Sequence, residues 1–246
     1  MNGFYDELAR DAAGRYGARD RYGRHFASGK LRHDPVFRHL LAHGVLAHAT
    51  RVLDLGCGQG VLGALLITAR ERKDAGEWPA AWPAPPRLTK LRGIDLLQKD
   101  IERARRASGN AAEFVCGDIQ HTAFDAADAV VILDVLHYVD FAAQQDVLER
   151  VRNALGTTGV LILRVADRSP TLRFRYTLAV DMVVTRCRGH RADRLYCKPV
   201  TAWREQLESL GFEVRVTPMG DGTFFANVLL EAHVHPTRAD ESTLLP

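Results

Sequence analysis

The chain has 246 residues, of which 46% are hydrophobic and 26% are charged, and its formal net charge is +3. This is ordinary globular composition, long enough for one large α/β domain. No stretch reaches the ~18 apolar residues of a membrane span and residues 1–13 do not resemble a secretion signal, so we expect a cytoplasmic protein. The four cysteines are Cys57, Cys116, Cys187 and Cys197, and no CxxC pair or zinc spacing links them, so we expect no bound metal. Two of them lie in predicted strand or turn elements, which favours reduced thiols.

The positive charge is concentrated in two segments. Residues 164–198 carry eight arginines and one lysine against three acids, and residues 1–50 carry seven arginines and one lysine against five acids. Such segments on an otherwise acidic body indicate an acidic partner or substrate near them. A solvated arginine-rich surface is an equally good interpretation.

Residues 4–48 are predicted to be helical, and we treat residues 1–50 as a helical N-terminal cap. Asp34 followed by Pro35 is a helix-start signal, since Asp caps the first turn and Pro suits the first helical position. His39 and His43 lie one helical turn apart and have metal-ligand spacing. Because no third ligand is evident, we interpret them as surface residues.

From residue 51 onward, predicted strands alternate with predicted helices, which indicates parallel strands covered by helices. The strands are predicted at 51–55, 91–95, 112–116, 129–133, 159–165, 213–217 and 224–231, and helices near 60–72, 97–108 and 141–155. The last two strands are joined by a hairpin-like turn sequence. The prediction is a Rossmann-like, doubly wound α/β fold whose seven-stranded sheet is mostly parallel with an antiparallel last strand.

Two segments interrupt this alternation. Residues 77–86 hold four of the ten prolines and two of the three tryptophans, and we favour a plain insertion loop over a lid or a partner contact. Residues 166–200 contain a predicted helix from Pro170 to about Cys187 and form a substrate-side insertion. The main domain would therefore span 51–235, followed by a flexible tail at 236–246.

The most informative motif is a strand that runs into Asp54 and then into three glycines at alternate positions, Gly56, Gly58 and Gly60. Glycines at a strand-to-helix turn allow unusual dihedral angles and let a ligand approach the main chain closely. Two ligands fit this turn. Gly58, Gly60 and Gly63 match the dinucleotide fingerprint, whereas an acid before the first glycine follows a different pattern. A P-loop is excluded because no GK[ST] follows.

The other strand ends distinguish between these ligands. Each of the first four predicted strands ends in or near an acid: Asp54, Asp95, Asp118 and Asp134. Ligands of open α/β sheets bind at the carboxyl ends of the strands. A crowd of carboxylates repels a pyrophosphate but suits an ammonium, a sulfonium, two ribose hydroxyls and an adenine amine. The strand ends therefore favour S-adenosylmethionine (SAM) over a dinucleotide.

The motifs of class I SAM-dependent methyltransferases resemble, in order and spacing, four segments of this chain: residues 51–60, 93–96, 116–119 and 129–138. The resemblance implies that the methionine portion of SAM is lined by Gly56, Cys57, Gly58 and Gly60, with Asp54 holding the amino group. It implies that Asp95 binds the ribose hydroxyls, Leu96 lies against the adenine, Asp118 accepts from the adenine N6 and Ile119 flanks the ring. After the fourth strand, Leu133 and Asp134 would contact the cofactor.

Methyl transfer is an in-line displacement in which the enzyme mainly aligns the nucleophile and excludes water. His137, just past the fourth strand, is a candidate base for a hydroxyl acceptor, since histidine ordinarily titrates near neutrality. Packing against the cofactor is the alternative role for this side chain. Tyr138 would line the acceptor pocket or fill the core.

The residues after the fourth strand argue against nucleic-acid bases as acceptors. They lack both the Asn/Asp-Pro-Pro-aromatic motif of base amino methyltransferases and the Pro-Cys of cytosine-C5 enzymes. A small-molecule acceptor is therefore favoured. An RNA or protein methyltransferase and a non-catalytic SAM-binding subunit stay as alternatives.

Aromatic residues in the two caps favour an aromatic acceptor, although core packing explains several of them equally well: Tyr16, Tyr22, Phe26, Phe174, Tyr176, Tyr196 and Trp203. Residues 26–37 are similar to methyltransferases found with aryl-polyene and xanthomonadin-type pigment enzymes of secondary metabolism. This similarity implies an aromatic head group carried on an acyl carrier protein. Because such carriers are acidic, it gives a role to Arg173, Arg175 and the cluster at 186–194. Lys30 or Arg32, by contrast, would pair with the carboxylate of SAM.

Overall fold

The computed structural model of the chain describes residues 2–168, 171–174, 176–180, 195–220 and 225–235. Its helices are α1 (Asn2–Gly14), α2 (Arg21–His33), α3 (Pro35–Ala42), α4 (Val61–Asp74), α5 (Gln98–Ser108), α6 (Phe141–Ala154) and α7 (Val200–Ser209). Its strands are β1 (Arg51–Leu55), β2 (Lys90–Asp95), β3 (Glu113–Cys116), β4 (Ala129–Leu133), β5 (Val160–Ala166), β6 (Phe212–Pro218) and β7 (Asn227–Val234). Every predicted strand is present, with its ends within three residues of the prediction.

The predicted fold class is confirmed: the strands form a seven-stranded, mostly parallel sheet in which the last strand is antiparallel. The described residues fall into two compact units, the first up to Ala123 and the second from Phe124 onward. Helical backbone at 172–174 and 176–180 agrees with part of the helix predicted after Pro170. The remainder of that helix and the predicted tail at 236–246 lie outside the described residues.

In the first unit, the three strands pair in the parallel order β3-β2-β1. Four of the five β1 residues are buried, and the first nine residues of α4 are buried as well. Such continuous apolar runs are expected where a parallel sheet is covered by helices. The predicted start of α3 is confirmed, since Asp34 caps it by accepting from Val36 N at 3.2 Å and Pro35 takes the first position.

The Trp/Pro-rich insertion at 77–86 is more than an exposed loop, because its tryptophans are buried against α1. The Phe4 ring meets Trp78 and Trp82 edge-on, with ring centroids 5.2 and 5.5 Å apart. The indole N–H of Trp78 donates to the carbonyl of Pro83 at 3.0 Å. Large aromatic side chains contribute more buried apolar area than most residues, so this cluster stabilises the packing of α1 against the loop.

In the second unit, the strands lie in the order β4-β5-β7-β6. β4 and β5 are parallel, whereas β7 is antiparallel to both of its neighbours. The hairpin-like pairing predicted for the last two strands is thus confirmed. α7 was not predicted: it buries Trp203 and Leu207, and two apolar positions in a ten-residue helix give little periodicity to detect.

Candidate functional site

The glycine loop, residues 56–60, has the backbone that its sequence predicts. Gly56, Gly58 and Gly60 have φ values of 75°, 53° and 75°, all in the left-handed region. This region is unfavourable for residues with a Cβ and open to glycine. The loop therefore turns the chain sharply from β1 into α4.

Two of these glycines have different surroundings. A Cβ on Gly60 would lie 2.7 Å from the Cβ of Ala104 in α5, so Gly60 is required for the close packing of α4 on α5. Apart from Gly58 and its two neighbours in the chain, no heavy atom lies within 4 Å of the position that a Cβ on Gly58 would take. At Gly58 the main chain therefore faces open space, which is the arrangement that a ligand needs to approach it.

The glycine loop is held by the end of β2. The N–H groups of Gly56 and Cys57 both donate to the carbonyl of Ile94, at 2.7 and 3.1 Å. The N–H of Gly58 donates to Asp95 Oδ2 at 2.9 Å, and the other carboxylate oxygen accepts from Leu97 N at 2.9 Å. A carboxylate offers about four lone-pair sites, so Asp95 keeps acceptor capacity for a diol.

Asp54 is a buried acid, 5% exposed, near the end of β1. Burial raises its pKa to about 7, and the charge of Asp95 adds to the effect. A cation placed beside Asp54 would favour the ionised form and lower this pKa. Burial also raises the pKa of the neighbouring Cys57 thiol, so that side chain lines the loop as a neutral group.

The remaining predicted residues of the first unit follow β2 and β3. Leu96 is 53% exposed directly after Asp95, which makes it an apolar platform open to a ligand. Asp118 accepts from the backbone N–H of Gln120 at 2.9 Å, and Ile119 is buried beside it. Arg32 is exposed on α2, while Lys30 is engaged by Asp34 at 3.1 Å. The assignment of Arg32 to the SAM carboxylate stays a prediction.

The fourth acid, Asp134, follows β4 in the second unit and is neutralised by Arg164. The Nε of Arg164 donates to Asp134 Oδ1 at 2.9 Å, and its Nη2 binds the other carboxylate oxygen. Arg164 is 2% exposed, whereas the Asp134 side chain is 29% exposed, so the loss of Asp134 would leave an uncompensated charge on a buried guanidinium. Sequence reasoning missed this arginine, although a single Arg inside the apolar strand β5 is a signal of a buried partner. Leu133, the last residue of β4, is half-buried.

His137 lies in a 3₁₀ turn, Leu136–Tyr138, and is 5% exposed. Burial lowers the pKa of His137 to about 4, while the negative charge of Asp134 partly offsets that effect. The imidazole is therefore neutral near pH 7 and can accept a proton only as a weak base. The ring of the half-buried Tyr138 lies 4.1 Å from that of His137, centroid to centroid.

This turn is held by Gln144 of α6, a residue that sequence reasoning missed. Gln144 is fully buried, and the two N–H groups of its Nε2 are shared among the carbonyls of Leu136 at 2.9 Å, Val139 at 3.1 Å and Tyr196 at 2.9 Å. The N–H of Tyr196 donates to the carbonyl of His137 at 2.8 Å. The detectable signal was a polar residue on the same helical face as the apolar stripe of α6.

The seven aromatic residues of the caps differ in burial, and two of them, Phe26 and Tyr196, are half-buried. The alternative of core packing holds for Tyr16, Phe174 and Trp203, all of which are buried. Tyr22 and Tyr176 are exposed, at 60% and 44%, and stay candidates for an acceptor surface. Arg173 is exposed, whereas Arg175 and the cluster at 186–194 lie outside the described residues.

A seven-stranded sheet of this topology, with a glycine loop after β1 and acids at the strand ends, defines the class of SAM-dependent methyltransferases. The model of the methyltransferase domain family matches residues 46–193, which is more than half of the chain. The chain belongs to this family. Within the described residues, no helix is long and apolar enough to cross a membrane, and no cluster of three metal-ligating side chains occurs.

Two curated relatives carry the same name, carboxy-S-adenosyl-L-methionine synthase. The chain is 30% identical over 129 residues to the protein of Chromohalobacter salexigens, covering 50% of this chain and 43% of that protein. It is 27% identical over 129 residues to the protein of Actinobacillus succinogenes, covering 50% and 48%. The chain therefore spans about half the length of the curated relatives it matches.

Solved structures of methyltransferases share the fold. Magnesium protoporphyrin IX methyltransferase from Synechocystis PCC 6803, with bound SAH, is 18% identical, with a TM-score of 0.57 over 94% of this chain and 96% of that one. The mitomycin 7-O-methyltransferase is 22% identical, with a TM-score of 0.59 over 88% and 57%. An O-methyltransferase family protein from Burkholderia thailandensis is 18% identical, with a TM-score of 0.61 over 94% and 64%. At these identities the likeness supports the fold alone.

Proposed function

We propose that this chain binds SAM at the carboxyl ends of β1, β2 and β3 and transfers its methyl group to a small aromatic acceptor. The observation that carries the proposal is the glycine loop, whose main chain is open at Gly58, where the N–H donates to Asp95, a carboxylate close enough to the buried Asp54 to raise its pKa. An open backbone turn flanked by two acids suits a cationic nucleoside ligand and repels a pyrophosphate.

Each part of SAM has a partner of matching chemistry in the first unit. Asp54 pairs with the ammonium, the glycine loop with Cys57 lines the methionine portion, and Asp95 accepts from the ribose hydroxyls. Leu96 and Ile119 bracket the adenine, while Asp118 accepts from its amine. In the second unit, Leu133 and Asp134 are further candidate contacts.

The proposed reaction is a displacement at the methyl carbon. The acceptor oxygen forms a bond to that carbon while the C–S bond breaks, and the electron pair stays on sulfur. His137 is the candidate base that takes the hydroxyl proton. Its low pKa makes His137 a weak base, and a phenol, whose hydroxyl is more acidic than that of an alcohol, demands less of a base than an alcohol does.

The proposed acceptor is an aromatic molecule with a hydroxyl group, free or attached to an acyl carrier protein. The exposed rings of Tyr22 and Tyr176 and the basic surface of α2 support this class. Incubation with labelled SAM and hydroxyaryl acceptors, free and carrier-bound, tests the proposal. SAM binding without transfer to any acceptor would favour a non-catalytic SAM-binding subunit.

The arginine-rich segments also suit RNA or an acidic protein as the acceptor. Counterion release makes binding to nucleic acid steeply salt-dependent. Titration with RNA at two salt concentrations therefore distinguishes the two acceptor classes. A salt-independent or absent signal removes the nucleic-acid alternative.

The names of the two curated relatives suggest a second candidate product, a carboxylated SAM. Both products start from the same ligand, so SAM binding does not separate them. Mass spectrometry of the nucleoside after turnover separates the two products. Methyl transfer leaves S-adenosylhomocysteine (SAH), whereas the alternative reaction leaves a nucleoside heavier than SAM. Accumulation of the heavier nucleoside would overturn the methyl-transfer proposal.

A further inference from the structure

The turn that follows α1 reaches the glycine loop through one side chain. The hydroxyl of Tyr16 donates to the backbone carbonyl of Gln59 at 2.8 Å. Both residues are buried, with 6% and 2% of their surfaces exposed. Buried hydroxyls ordinarily have a hydrogen-bond partner, and here the partner belongs to the loop that would hold SAM.

The bond from Tyr16 completes the fixation of one peptide group. In the peptide between Gln59 and Gly60, the N–H of Gly60 donates to the carbonyl of Cys57 at 2.9 Å, and the carbonyl of Gln59 accepts from Tyr16. The peptide between Cys57 and Gly58 is also held on both sides, because the N–H of Gly58 donates to Asp95 while the Cys57 carbonyl accepts from Gly60. Tyr16 therefore acts on the part of the loop beside the open position at Gly58.

Tyr16 is itself fixed by helices of the same unit. A Cβ on Gly23 of α2 would lie 2.9 Å from a ring carbon of Tyr16, so this glycine permits the ring to sit against the helix. The neighbouring Arg15 donates to the carbonyl of Ala107 at 3.0 Å and pairs with Glu71 at 2.6 Å. Burial raises the pKa of Tyr16, so its hydroxyl stays a donor across the physiological range.

We infer that Tyr16 is a positioning residue for SAM, through which the N-terminal helices hold the glycine loop in its binding conformation. The inference rests on the proposed function, since it assigns SAM to this loop. It has a reciprocal consequence: if the N-terminal segment strengthens SAM binding, SAM must stabilise that segment by the same free energy.

Tyr16→Phe and Tyr5→Phe form a matched pair of variants that tests this inference. Tyr5 is also buried, and its hydroxyl also donates to a backbone carbonyl at 2.9 Å, but that carbonyl belongs to Leu31 of α2. Each change keeps the ring and removes one buried hydrogen bond. We expect Tyr16→Phe to weaken SAH binding about tenfold and Tyr5→Phe to change it by less than about twofold, with similar losses of thermal stability.

Calorimetry with SAH measures the affinities, and amide hydrogen exchange measures how strongly SAH stabilises the N-terminal helix. SAH should protect the amides of residues 3–16 in the unaltered protein and protect them less in Tyr16→Phe. Equal weakening by both variants, or no weakening by Tyr16→Phe, would overturn the inference. If Tyr16→Phe does not fold, Gly23→Ala replaces it, because the added methyl would lie 2.9 Å from the Tyr16 ring while alanine favours the helix. The same methyl would lie 3.0 Å from the carboxyl carbon of Asp20, so the thermal stability of this variant is measured together with its SAH affinity.

The proposed function and the positioning role fail in different ways. If the unaltered protein binds neither SAM nor SAH, the proposed function fails. Amide hydrogen exchange in the two unliganded variants still tests whether Tyr16 constrains the glycine loop. Faster exchange at residues 56–60 in Tyr16→Phe than in Tyr5→Phe supports the hydrogen bond as the constraint on the loop, and equal exchange overturns it.

Discussion

Asp54 is the residue at which stability and ligand binding oppose each other. Burial and the nearby Asp95 raise its pKa to about 7, so the folded chain retains a proton that the unfolded chain has lost. The folded state thus binds more protons than the unfolded state between about pH 4 and about pH 7, and the free energy of unfolding falls as pH rises through that window. An ammonium ligand would recover this loss by pairing with the ionised carboxylate.

We therefore predict that SAH affinity rises between about pH 5.5 and about pH 7.5, as Asp54 becomes able to ionise. Asp54→Asn should bind SAH weakly and without this pH dependence. Without ligand near pH 8, the free energy of unfolding of the same variant should exceed that of the unaltered protein by roughly 2–4 kcal/mol. Calorimetry and urea unfolding measure the two effects. A flat pH profile for the unaltered protein would contradict a role for Asp54 at the ammonium.

Gly58 and Gly60 should separate binding from folding. Gly58→Ala places a methyl group in open space where the ligand would lie, at a backbone strain of about 1–2 kcal/mol. Gly60→Ala carries similar strain and also drives a Cβ into Ala104. We predict a larger loss of SAH affinity for Gly58→Ala and a larger loss of thermal stability for Gly60→Ala. Identical behaviour of the two variants would mean that the open space at Gly58 is not the ligand site.

His137 should not behave as an ordinary histidine in a pH–rate profile. Its pKa of about 4 keeps it neutral from pH 8 down to about pH 6, so at saturating SAM the turnover number should stay level across that range. His137→Gln should lower turnover by roughly 10- to 100-fold while changing SAH affinity much less. An equal loss of turnover and affinity would instead indicate that the histidine packs against the cofactor.

At the scale of elements, α6 holds the turn that carries His137 through the buried amide of Gln144. The Nε2 of this side chain faces three carbonyl oxygens. Gln144→Glu would replace the donor by a carboxylate facing the same carbonyls. We predict a loss of roughly 2–4 kcal/mol in unfolding free energy, since buried acceptors lose their donor and a charge is desolvated.

The control is the same substitution one residue further along. Gln145 is half-buried, and its amide nitrogen donates to Glu149 at 2.8 Å on the helix surface. Its amide oxygen accepts from the side chain of Gln206, a contact that a carboxylate at this position can also make. Gln145→Glu should cost only a few tenths of a kcal/mol from like-charge repulsion. Denaturant unfolding of both variants checks the prediction, which fails if their stabilities differ by less than about 1 kcal/mol.

The elements that the sequence predicted well are those with strong local signals. β1 and α4 combine an apolar run with alternate glycines, and Asp34 with Pro35 marks the start of α3. The partners of Asp134 and Gln144 were not predictable in this way. Arg164 lies beside Asp134 because β4 and β5 pair with Leu133 opposite Arg164, and this register is set by packing between residues far apart in the sequence.

At the scale of the whole molecule, the two basic segments bear on how the acceptor arrives. The basic segment at residues 1–50 includes α2, which contains Arg21, Arg24, Lys30 and Arg32 and no acid. All three arginines are exposed on the helix, while Lys30 is paired with Asp34. An exposed basic helix raises the encounter rate with an acidic macromolecule and has little effect on a small neutral acceptor.

We therefore predict that the double change Arg21→Glu/Arg24→Glu raises KM for a carrier-bound acceptor by roughly tenfold at low salt and leaves KM for the free acceptor unaltered. Lys73→Glu/Arg87→Glu is the matched control, because it changes the net charge equally at two exposed positions outside both basic segments. Added salt should reduce the difference between the two double variants, since exposed charges are screened within about 10 Å at 0.1 M ionic strength. A similar rise in KM for free and carrier-bound acceptors would place the effect at the small molecule and remove the carrier from the proposal.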